Sequence, residues 1–596
     1  MGTSIRWRGA VACLIPLALA IIGGPVCYVL LVAYTFAISF RYLSGKAFPA
    51  PWLLYCLALS LLWSTTLLSA TVVGTDIHAE YQLTWTAWQH GWDYTNIHIY
   101  NTSLLAVPFT AAASKLLHLD PVWAYKICIP MLSAACAPIL YRIYQQYVGA
   151  AQAYIATLII VLSPTYLVEL LGMARQMVAL PFMLVTLGLL IDHTQWAWRS
   201  RKHMALMLVC GLIATTSHYT IGMMLIFLMG FTLAFMLAAR LLHHYTPPVR
   251  GPIIVFLAIV VLSVSYYTTV GQGIAAYNIA AKIGPFLHVG TESTEQLRPP
   301  NQVFVEPPIT PSSPAAGEDL LAHHERTMQL ALGYGVRDGD PLVKTWWILQ
   351  YMMQVLVVIG AGYALWRWWK RRQWSTQYMG LVAAAMTLGL LCIVLPAFSA
   401  LLNATRFWLV VLLFLAPAVV AIVVRVMRHT TIALLLLMPY FLFTTGVVFE
   451  AAQYDVSVVR IPYSIALSND RIDLGASFTA DDIAARQYII DNQLYPVYTD
   501  WYGAMFLYER IPNDKVYWGW PQRPTTEISN VTDNDYVYLR ARSVADNAWV
   551  DWFGIGLRKS TPLDSKDFMA RPAIFQSGSA TIIDKGIDNP EDSSIE

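Results

Sequence analysis

The stretch WLLYCLALSLLWSTTLLSATVV-GTDIHAE, residues 52–80, joins a long apolar run to three ionisable side chains. The run Trp52 to Val73 is long enough to cross a bilayer, which takes about 20 apolar residues. Asp76, His78 and Glu80 follow at two-residue spacing, at the expected boundary between membrane and water. Ionisable side chains are costly at this position, so the stretch predicts a functional site beside a membrane domain.

The composition of the 596-residue chain is typical of a membrane protein. Hydrophobic residues make up 57% and charged residues only 12%, which excludes an ordinary soluble protein. Residues 449–596 carry 13 Lys and Arg against 22 Asp and Glu, whereas residues 1–448 carry 25 against 14. We therefore predict a transmembrane domain, 1–448, and a soluble domain, 449–596. The seven cysteines form no CxxC pair and indicate neither a zinc site nor a disulfide framework.

Apolar segments recur through the first 448 residues. Those that are long enough predict spans near 10–40, 52–73, 121–142, 150–166, 176–192, 203–217, 218–240, 252–272, 345–366, 377–398, 407–424 and 430–448. The first is either one long helix or two short ones, because Gly23-Gly24-Pro25 divides it. The total is twelve or thirteen transmembrane helices.

The loops that hold Lys and Arg predict the orientation, since cytoplasmic loops carry the excess. Loops rich in these residues lie near 41–46, 142, 199–202, 240–250, 366–372 and 425–428. The alternate loops 74–120 and 273–344, together with the soluble domain, are then extracytoplasmic on a multi-pass protein of the cell membrane. This alternation of cytoplasmic and extracytoplasmic loops requires the apolar segment 102–117 to lie along or dip into the outer surface instead of crossing the membrane. The proline-rich loop 273–344 is either a lid or a tether.

The pattern changes beyond residue 449 to short strands and amphipathic helices. Residues 481–490 predict a helix, and Val497–Thr499 and Tyr536–Leu539 predict strands. Strands alternating with helices favour an α/β domain. It contains no glycine-rich phosphate loop and no nucleophile elbow, so we interpret it as a lid or a module that docks the acceptor.

The predicted topology places further polar residues on the same outer face as Asp76. They are Lys126, Arg175, His218, Tyr219 and Arg406. A structural explanation exists for most of them, because basic side chains commonly anchor helix ends. Anchoring does not explain the crowding of Asp76 with Glu80 and His78. In an extended segment all three side chains lie on one side, whereas in a helix only Asp76 and Glu80 share a face.

These residue types suit group transfer at a membrane surface. Asp76 and Glu80 are the candidate catalytic residues. Asp76 is the general base that deprotonates an acceptor hydroxyl, and Glu80 shapes the site or holds a cation. Residues that would bind a lipid phosphate leaving group are Lys126, Arg175, His218, Tyr219 and Arg406. Asp76, Glu80 and His218 are also candidate ligands of a divalent cation. His78 stays unassigned.

Several short motifs resemble the glycosyltransferase-C superfamily, whose multi-spanning enzymes use polyprenyl-phosphate sugars, and a family of archaeal and bacterial polytopic proteins placed beside them. The motifs are Gly74–Tyr81, Ser163–Tyr166, Met173–Gln176, Ser217–Thr220 and Thr405–Phe407. The resemblance covers residues 52–448 and implies a catalytic acid in the first outer loop, at Asp76. It implies inverting transfer, with polyprenyl phosphate as the leaving group. Some members bind a divalent cation and others do not; adjacent acids found in some members are absent here, so a need for Mg²⁺ or Mn²⁺ stays open.

The sequence therefore predicts a GT-C-like polytopic α-helical membrane glycosyltransferase with an extracytoplasmic site. Its expected partners are a polyprenyl-phosphate sugar donor, a glycan, lipid or protein acceptor and membrane lipids, but no nucleic acid. Two alternatives remain. A transporter or flippase of a lipid-linked saccharide would favour charges at the bilayer midplane and internal repeats. A non-catalytic membrane scaffold would bind a partner through the acidic C-terminal region.

Overall fold

A computed structural model describes most of the chain. The described residues are 2–45, 49–69, 71–74, 76–95, 99–192, 200–242, 249–273, 341–371, 374–395, 404–454, 462, 464–467, 478–511, 515–518, 536–540, 544, 548–552, 558–562, 573–577 and 580–584. Most of them are helical, and a small mixed sheet lies near the C-terminus. The predicted fold class, a polytopic helical membrane protein with a C-terminal α/β unit, is confirmed. Most of the predicted loop 273–344 lies outside the described residues.

The membrane region contains eighteen described helices. They are α1 (Gly2–Ile22), α2 (Pro25–Leu43), α3 (Ala50–Thr66), α4 (Asp76–His90), α5 (Thr110–Leu116), α6 (Pro121–Trp123), α7 (Ile129–Ala134), α8 (Cys136–Gln145), α9 (Ala150–Val161), α10 (Ala174–Ile191), α11 (Arg201–Ser217), α12 (Tyr219–Leu241), α13 (Arg250–Thr269), α14 (Pro341–Trp366), α15 (Thr376–Val394), α16 (Ala404–Met427), α17 (Thr430–Thr444) and α18 (Val447–Ala451). Irregular helical turns at Leu105–Phe109, Ala124–Cys128, Thr165–Glu169, Leu170–Gly172 and Arg367–Arg371 extend or join them.

Eight described helical runs are long and apolar enough to cross a membrane. They are Pro25–Leu43, Pro121–Gln145, Ala174–Ile191, Tyr219–Leu241, Arg250–Thr269, Pro341–Arg371, Thr376–Val394 and Thr405–Met427. A ninth is formed if Ala150–Val161 and Thr165–Gly172, which meet at 57°, are one bent span. Among the described residues this is fewer than the twelve or thirteen predicted, because several predicted spans are shorter helices. These are α3, α11 and α17.

Helix α3 ends seven residues before the predicted end of its span. It stops at Thr66, and the chain continues through a buried segment to Val73. The Thr71 N–H donates to the Ser69 hydroxyl at 3.2 Å, and the Lys126 ammonium donates to the Ser69 carbonyl. These contacts satisfy backbone groups that a longer helix would have paired internally.

The first apolar run consists of two helices, which decides between the two alternatives. Gly23 and Gly24 have φ angles of 72° and 86°, a region that glycine adopts readily. Pro25 then begins α2, where its missing N–H leaves no hydrogen bond unmade.

The segment 102–117 forms a helical run from Leu105 to Leu116. Twelve residues at about 1.5 Å each are too short for a hydrocarbon core of about 30 Å. Its length therefore agrees with the predicted non-spanning arrangement.

Two spans form the centre of the helical core. Burial inside the protein reaches 78% for α10 and 83% for Thr405–Met427, against 22% for α13. Arg175 and Arg406 lie in the first turns of these two central helices. The fold therefore brings both arginines to helix N-termini of the same core.

The C-terminal unit is an α/β arrangement around a five-stranded sheet. Its elements are α19 (Ala480–Asp491), β1 (Val497–Thr499), α20 (Trp501–Tyr508), β2 (Val516–Trp518), β3 (Tyr536–Leu539), β4 (Ala548–Trp552), β5 (Arg558–Pro562), β6 (Ala573–Ser577) and β7 (Ala580–Asp584). The sheet order is β2-β1-β3-β7-β6, with β1 parallel to β2 and β3 and the remaining pairs antiparallel, while β4 and β5 pair separately. The predicted helix 481–490 and both predicted strands are confirmed.

The two regions have separate hydrophobic cores. Phe449 and Ala466 pack in the helical core, whereas the second core begins at Phe478. The C-terminal unit also contacts α4, so both lie on the same side of the helical core. The domain boundary at residue 449 and the extracytoplasmic location of this side stay predictions.

Gly74 allows the chain to enter α4 against the turn that precedes α10. Its φ is 137°, and a Cβ there would lie 2.4 Å from the Cα of Gly172. Any larger residue would push α4 away from α10.

Replacing Gly74 by Ala is expected to destabilise the protein by more than about 2 kcal/mol, because strain and a backbone clash add together. Gly45→Ala is the matched control, since Gly45 also has positive φ but nothing within 4 Å of an added Cβ. Thermal unfolding of the purified protein in detergent would compare them. Equal losses in melting temperature would contradict the importance of the Gly74–Gly172 approach.

Candidate active site

Asp76 and Glu80 lie on one face of α4, since the segment is helical from Asp76 onward. The Asp76 side chain is 38% exposed, whereas that of Glu80 is fully buried. The two acids therefore face the same partners from different depths.

Arg175 binds both acids. Its Nε donates to Glu80 Oε1 at 2.5 Å, and its backbone N–H donates to Glu80 Oε2 at 3.1 Å. Its Nη2 donates to Asp76 Oδ2 at 3.3 Å. Both oxygens of Glu80 are thus used by Arg175, while Asp76 makes one longer contact with it and keeps its exposed surface. The prediction that these three residues meet is supported by this geometry.

Tyr100 completes the group and was not indicated by the sequence. The Arg175 guanidinium lies 3.7 Å from the centroid of the Tyr100 ring, a cation–π contact. The Tyr100 hydroxyl is hydrogen-bonded to Asp76. Burial, reinforced by the charge of Asp76, raises the pKa of Tyr100, so the phenol stays protonated and donates to the carboxylate. No local pattern marks this tyrosine, because its partners are 24 and 75 residues away in the printed numbering.

Burial raises the pKa of Glu80 to about 7, although the charge and hydrogen bonds of Arg175 oppose this shift. Desolvation of a carboxylate in a closed site disfavours its ionised form. Glu80 therefore titrates close to neutral pH, and the strength of its ion pair with Arg175 changes in this pH range.

Arg406 lies against the segment that leads to Arg175. Its Nη2 donates to the Met173 sulfur at 2.9 Å, and its buried Nε has no hydrogen-bond partner among the described residues. The nearby Glu169 carboxylate accepts from the Thr405 hydroxyl at 2.7 Å. Arg406 thus retains donors that no described carboxylate uses. Met173 belongs to the motif Met173–Gln176, but the sequence did not indicate its contact with Arg406.

His218 caps the N-terminus of α12 beside the two arginines. Its Nδ1 accepts from the Ile221 N–H at 3.1 Å, and its ring stacks on that of Tyr219 at 5.6 Å. Burial, together with the charges of Arg175 and Arg406, lowers the pKa of His218, so its ring is neutral. Since Nδ1 is an acceptor, a neutral ring carries its proton on Nε2 and is a hydrogen-bond donor there.

Lys126 and His78 have other partners. The Lys126 ammonium binds the Ser69 carbonyl and lies 5.2 Å from the centroid of the Trp123 ring. None of its described contacts joins it to Arg175 or Arg406. His78 points to the opposite face of α4 and binds Glu509. The predicted phosphate-binding role of Lys126 stays a prediction, supported by no contact in the described residues.

A cation held by Asp76, Glu80 and His218 does not fit this arrangement. Both oxygens of Glu80 accept from Arg175, and Nδ1 of His218 accepts from a backbone N–H. No group of three His, Cys, Asp or Glu within the described part of the chain has the geometry of a metal site. The cation prediction therefore receives no support from these residues, and no step proposed for the site passes through a metal.

Comparison with known proteins gives limited matches. Residues 341–551 match the family model described as "Predicted membrane protein (DUF2206)". A comparison with curated sequences finds no significant match.

Similar solved structures include an oligosaccharyltransferase of Archaeoglobus fulgidus in complex with Zn and sulfate, with TM-score 0.46 and 11% identity over 86% of this chain and 73% of that one. The apo form of that enzyme has a TM-score of 0.45 and 12% identity over 85% of this chain and 74% of that one. The archaeal oligosaccharyltransferase AglB of the same organism, with an inhibitory peptide and a dolichol-phosphate, gives 0.44 and 12% over 86% and 74%. All three TM-scores are below 0.5, so this likeness carries no assignment.

Replacing Glu80 by Gln is expected to flatten the pH dependence of thermal stability between about pH 5 and pH 8. The folded state binds the Glu80 proton more tightly than the unfolded state, because its pKa is raised from 4.5 to about 7. The stabilisation is complete below the ordinary pKa and is lost as the pH rises through 7. Melting temperatures measured across this interval should fall more steeply for the wild type than for Glu80→Gln. Parallel curves for the two proteins would contradict the raised pKa.

Proposed function

We propose that the protein is a membrane glycosyltransferase that transfers a sugar from a polyprenyl-phosphate donor to an acceptor hydroxyl on the extracytoplasmic face, with inversion at the anomeric carbon. The observation that carries the proposal is the single cluster formed by Asp76, Glu80, Arg175 and Tyr100, with Arg406 beside it. It combines an accessible carboxylate with two guanidinium groups at the end of the helical core.

Asp76 is the general base. It is the more exposed of the two site carboxylates, and the phenol of Tyr100 and Nη2 of Arg175 orient it. A general base must reach the proton that it removes, which a fully enclosed carboxylate cannot do. Glu80 is enclosed and bound through both oxygens, so its role is to hold Arg175 in place.

The donor phosphate binds near Arg406 and Arg175. Both residues lie in the first turns of α16 and α10, where the positive end of the helix dipole favours an anion. Two cations at such ends are unfavourable unless negative charge is present. Glu80 and Asp76 supply it for Arg175, whereas the described carboxylate that acts on Arg406, that of Glu169, forms no ion pair with it. Arg406 is therefore the principal phosphate ligand, and Arg175 adds charge.

The reaction follows from these positions. Asp76 accepts the proton of the acceptor as the acceptor atom forms a bond to the anomeric carbon. The bond between that carbon and the phosphate oxygen breaks, and its electron pair leaves with the polyprenyl phosphate. The two guanidinium groups stabilise the charge that grows on the leaving phosphate. The polyprenyl chain extends along the apolar surface of the helices into the bilayer.

Asp76→Asn is expected to lower kcat for sugar transfer by at least about 100-fold, since amides do not accept the proton and general base catalysis contributes this much. Transfer from a radiolabelled polyprenyl-phosphate sugar by the protein in liposomes would measure it. Asp93→Asn is the matched control, because Asp93 belongs to the same loop and its carboxylate binds Thr95. Wild-type rates in Asp76→Asn would overturn the assignment of the base.

Arg406→Gln is expected to raise the KM for the donor by about 10-fold or more, because a charged hydrogen bond to phosphate is lost. The acceptor KM should change little. Arg428→Gln serves as control, as Arg428 lies beyond the opposite end of α16. An unchanged donor KM in Arg406→Gln would remove this residue from the phosphate site.

A further inference from the structure

Helix α4 has a second face that binds the C-terminal unit. The His78 Nδ1–H donates to Glu509 Oε1 at 2.7 Å, and Gln82 Nε2 donates to the Ile511 carbonyl at 3.0 Å. Between them, Arg510 Nη2 donates to the Tyr81 hydroxyl at 2.8 Å. Three consecutive residues of the C-terminal unit thus bind one face of the helix that begins with Asp76.

The two faces of α4 are nearly opposite. At about 100° per residue, Asp76 and Glu80 lie within about 40° of each other, whereas His78, Gln82 and Trp85 centre about 180° from them. Arg510 also covers Trp85, with its guanidinium 4.2 Å from the centroid of one of the indole rings. If a change in its contacts with the C-terminal unit rotates or shifts α4, Asp76 on the opposite face of the helix therefore moves with it.

The contact at His78 is buried and built from several groups. The side chains of His78 and Glu509 are 0% and 1% exposed. The second oxygen of Glu509 accepts from Arg486 Nη1 at 2.5 Å, and the His78 ring meets that of Phe478 edge to face at 6.0 Å. Removing one member of a buried charged network leaves its partners unpaired, which is strongly unfavourable. The contact consequently fixes α4 in one position relative to the C-terminal unit.

This connection differs from the internal contacts of the C-terminal unit. Asp482, for example, is also a buried acid and accepts from the Tyr538 hydroxyl at 2.7 Å, but its described hydrogen bonds stay within the unit. Glu509 instead joins the second hydrophobic core to the helix that carries the site. Glu509 can affect Asp76 through His78, which lies two positions after Asp76 in α4.

We propose that Glu509 is a positioning residue for the transfer reaction, which the C-terminal unit controls by holding α4 so that Asp76 faces Arg175 and the donor. The proposal rests on the function proposed above. Glu509 touches neither Asp76 nor Arg175 and acts through His78. Arg406, the proposed donor ligand, lies on α16, and α16 takes no part in the described contacts between α4 and the C-terminal unit.

The test compares Glu509→Gln with the wild type as full-length protein in lipid nanodiscs. Gln keeps the size of the side chain but removes its charge toward His78 and Arg486. We expect hydrogen–deuterium exchange in peptides covering 76–90 to rise by about 10-fold or more, as contacts that protect the helix weaken. We expect kcat for transfer from the polyprenyl-phosphate sugar to fall by about 10-fold or more while the donor KM stays within about twofold, since a misplaced base affects the chemical step.

Two further variants make the result specific. Asp482→Asn is the matched control. Hydrogen–deuterium exchange in 76–90, kcat and the donor KM should all stay at their wild-type values in this variant. Glu509→Asp, which retains the charge, should restore part of kcat. If Glu509→Gln does not fold, Gln82→Ala removes a milder contact on the same face and should raise exchange in 76–90 to a smaller extent.

The outcomes separate the two proposals. Wild-type exchange in 76–90 and wild-type kcat in Glu509→Gln would overturn the positioning role, as would equal effects in Asp482→Asn. Absence of sugar transfer in the wild type would instead refute the proposed reaction. In that case the exchange measurement alone decides whether Glu509 holds α4.

Discussion

The arrangement of the site depends on the contact between Arg175 and Glu80. A guanidinium that is almost fully buried needs a partner, and Glu80 provides both carboxylate oxygens for the side chain and the backbone N–H of Arg175. Because Arg175 belongs to a central helix and Glu80 to an outer one, their contact joins the helical core to α4. The close approach of Gly74 to Gly172 makes that junction short enough.

The junction gives the two acids of α4 different chemistry. Glu80 is enclosed and titrates near neutral pH, whereas Asp76 stays partly exposed and is oriented by Arg175 and the Tyr100 phenol. Around them, the first turns of α10 and α16 place positive charge where helix dipoles already favour anions. An accessible carboxylate beside an incompletely paired arginine is the combination that group transfer from a phosphate requires.

Local sequence patterns predicted the parts of this structure that depend on short-range physics. Apolar runs located most membrane helices. The spacing of Asp76 and Glu80 predicted that the two acids stay together whether their segment is extended or helical, and loop charge predicted Arg175 and Arg406 on the same side. The end of α3 was predicted wrongly, since the Lys126 side chain from a distant helix contributes to it. Tyr100 and Glu509 escaped prediction for the same reason. Their partners are selected by tertiary packing, which leaves no periodic signal in the sequence.

The contact between His78 and Glu509 also has a consequence for biosynthesis. The two residues are 431 positions apart. At roughly 5–20 residues per second, synthesis of the intervening chain takes roughly 20–90 s. During that interval the second face of α4 lacks its contacts with Glu509, Arg510 and Ile511. The nascent protein therefore holds a membrane domain with an incompletely supported site until its last quarter emerges, folds and docks. Order of synthesis thereby delays the support of α4 until Glu509 has been made.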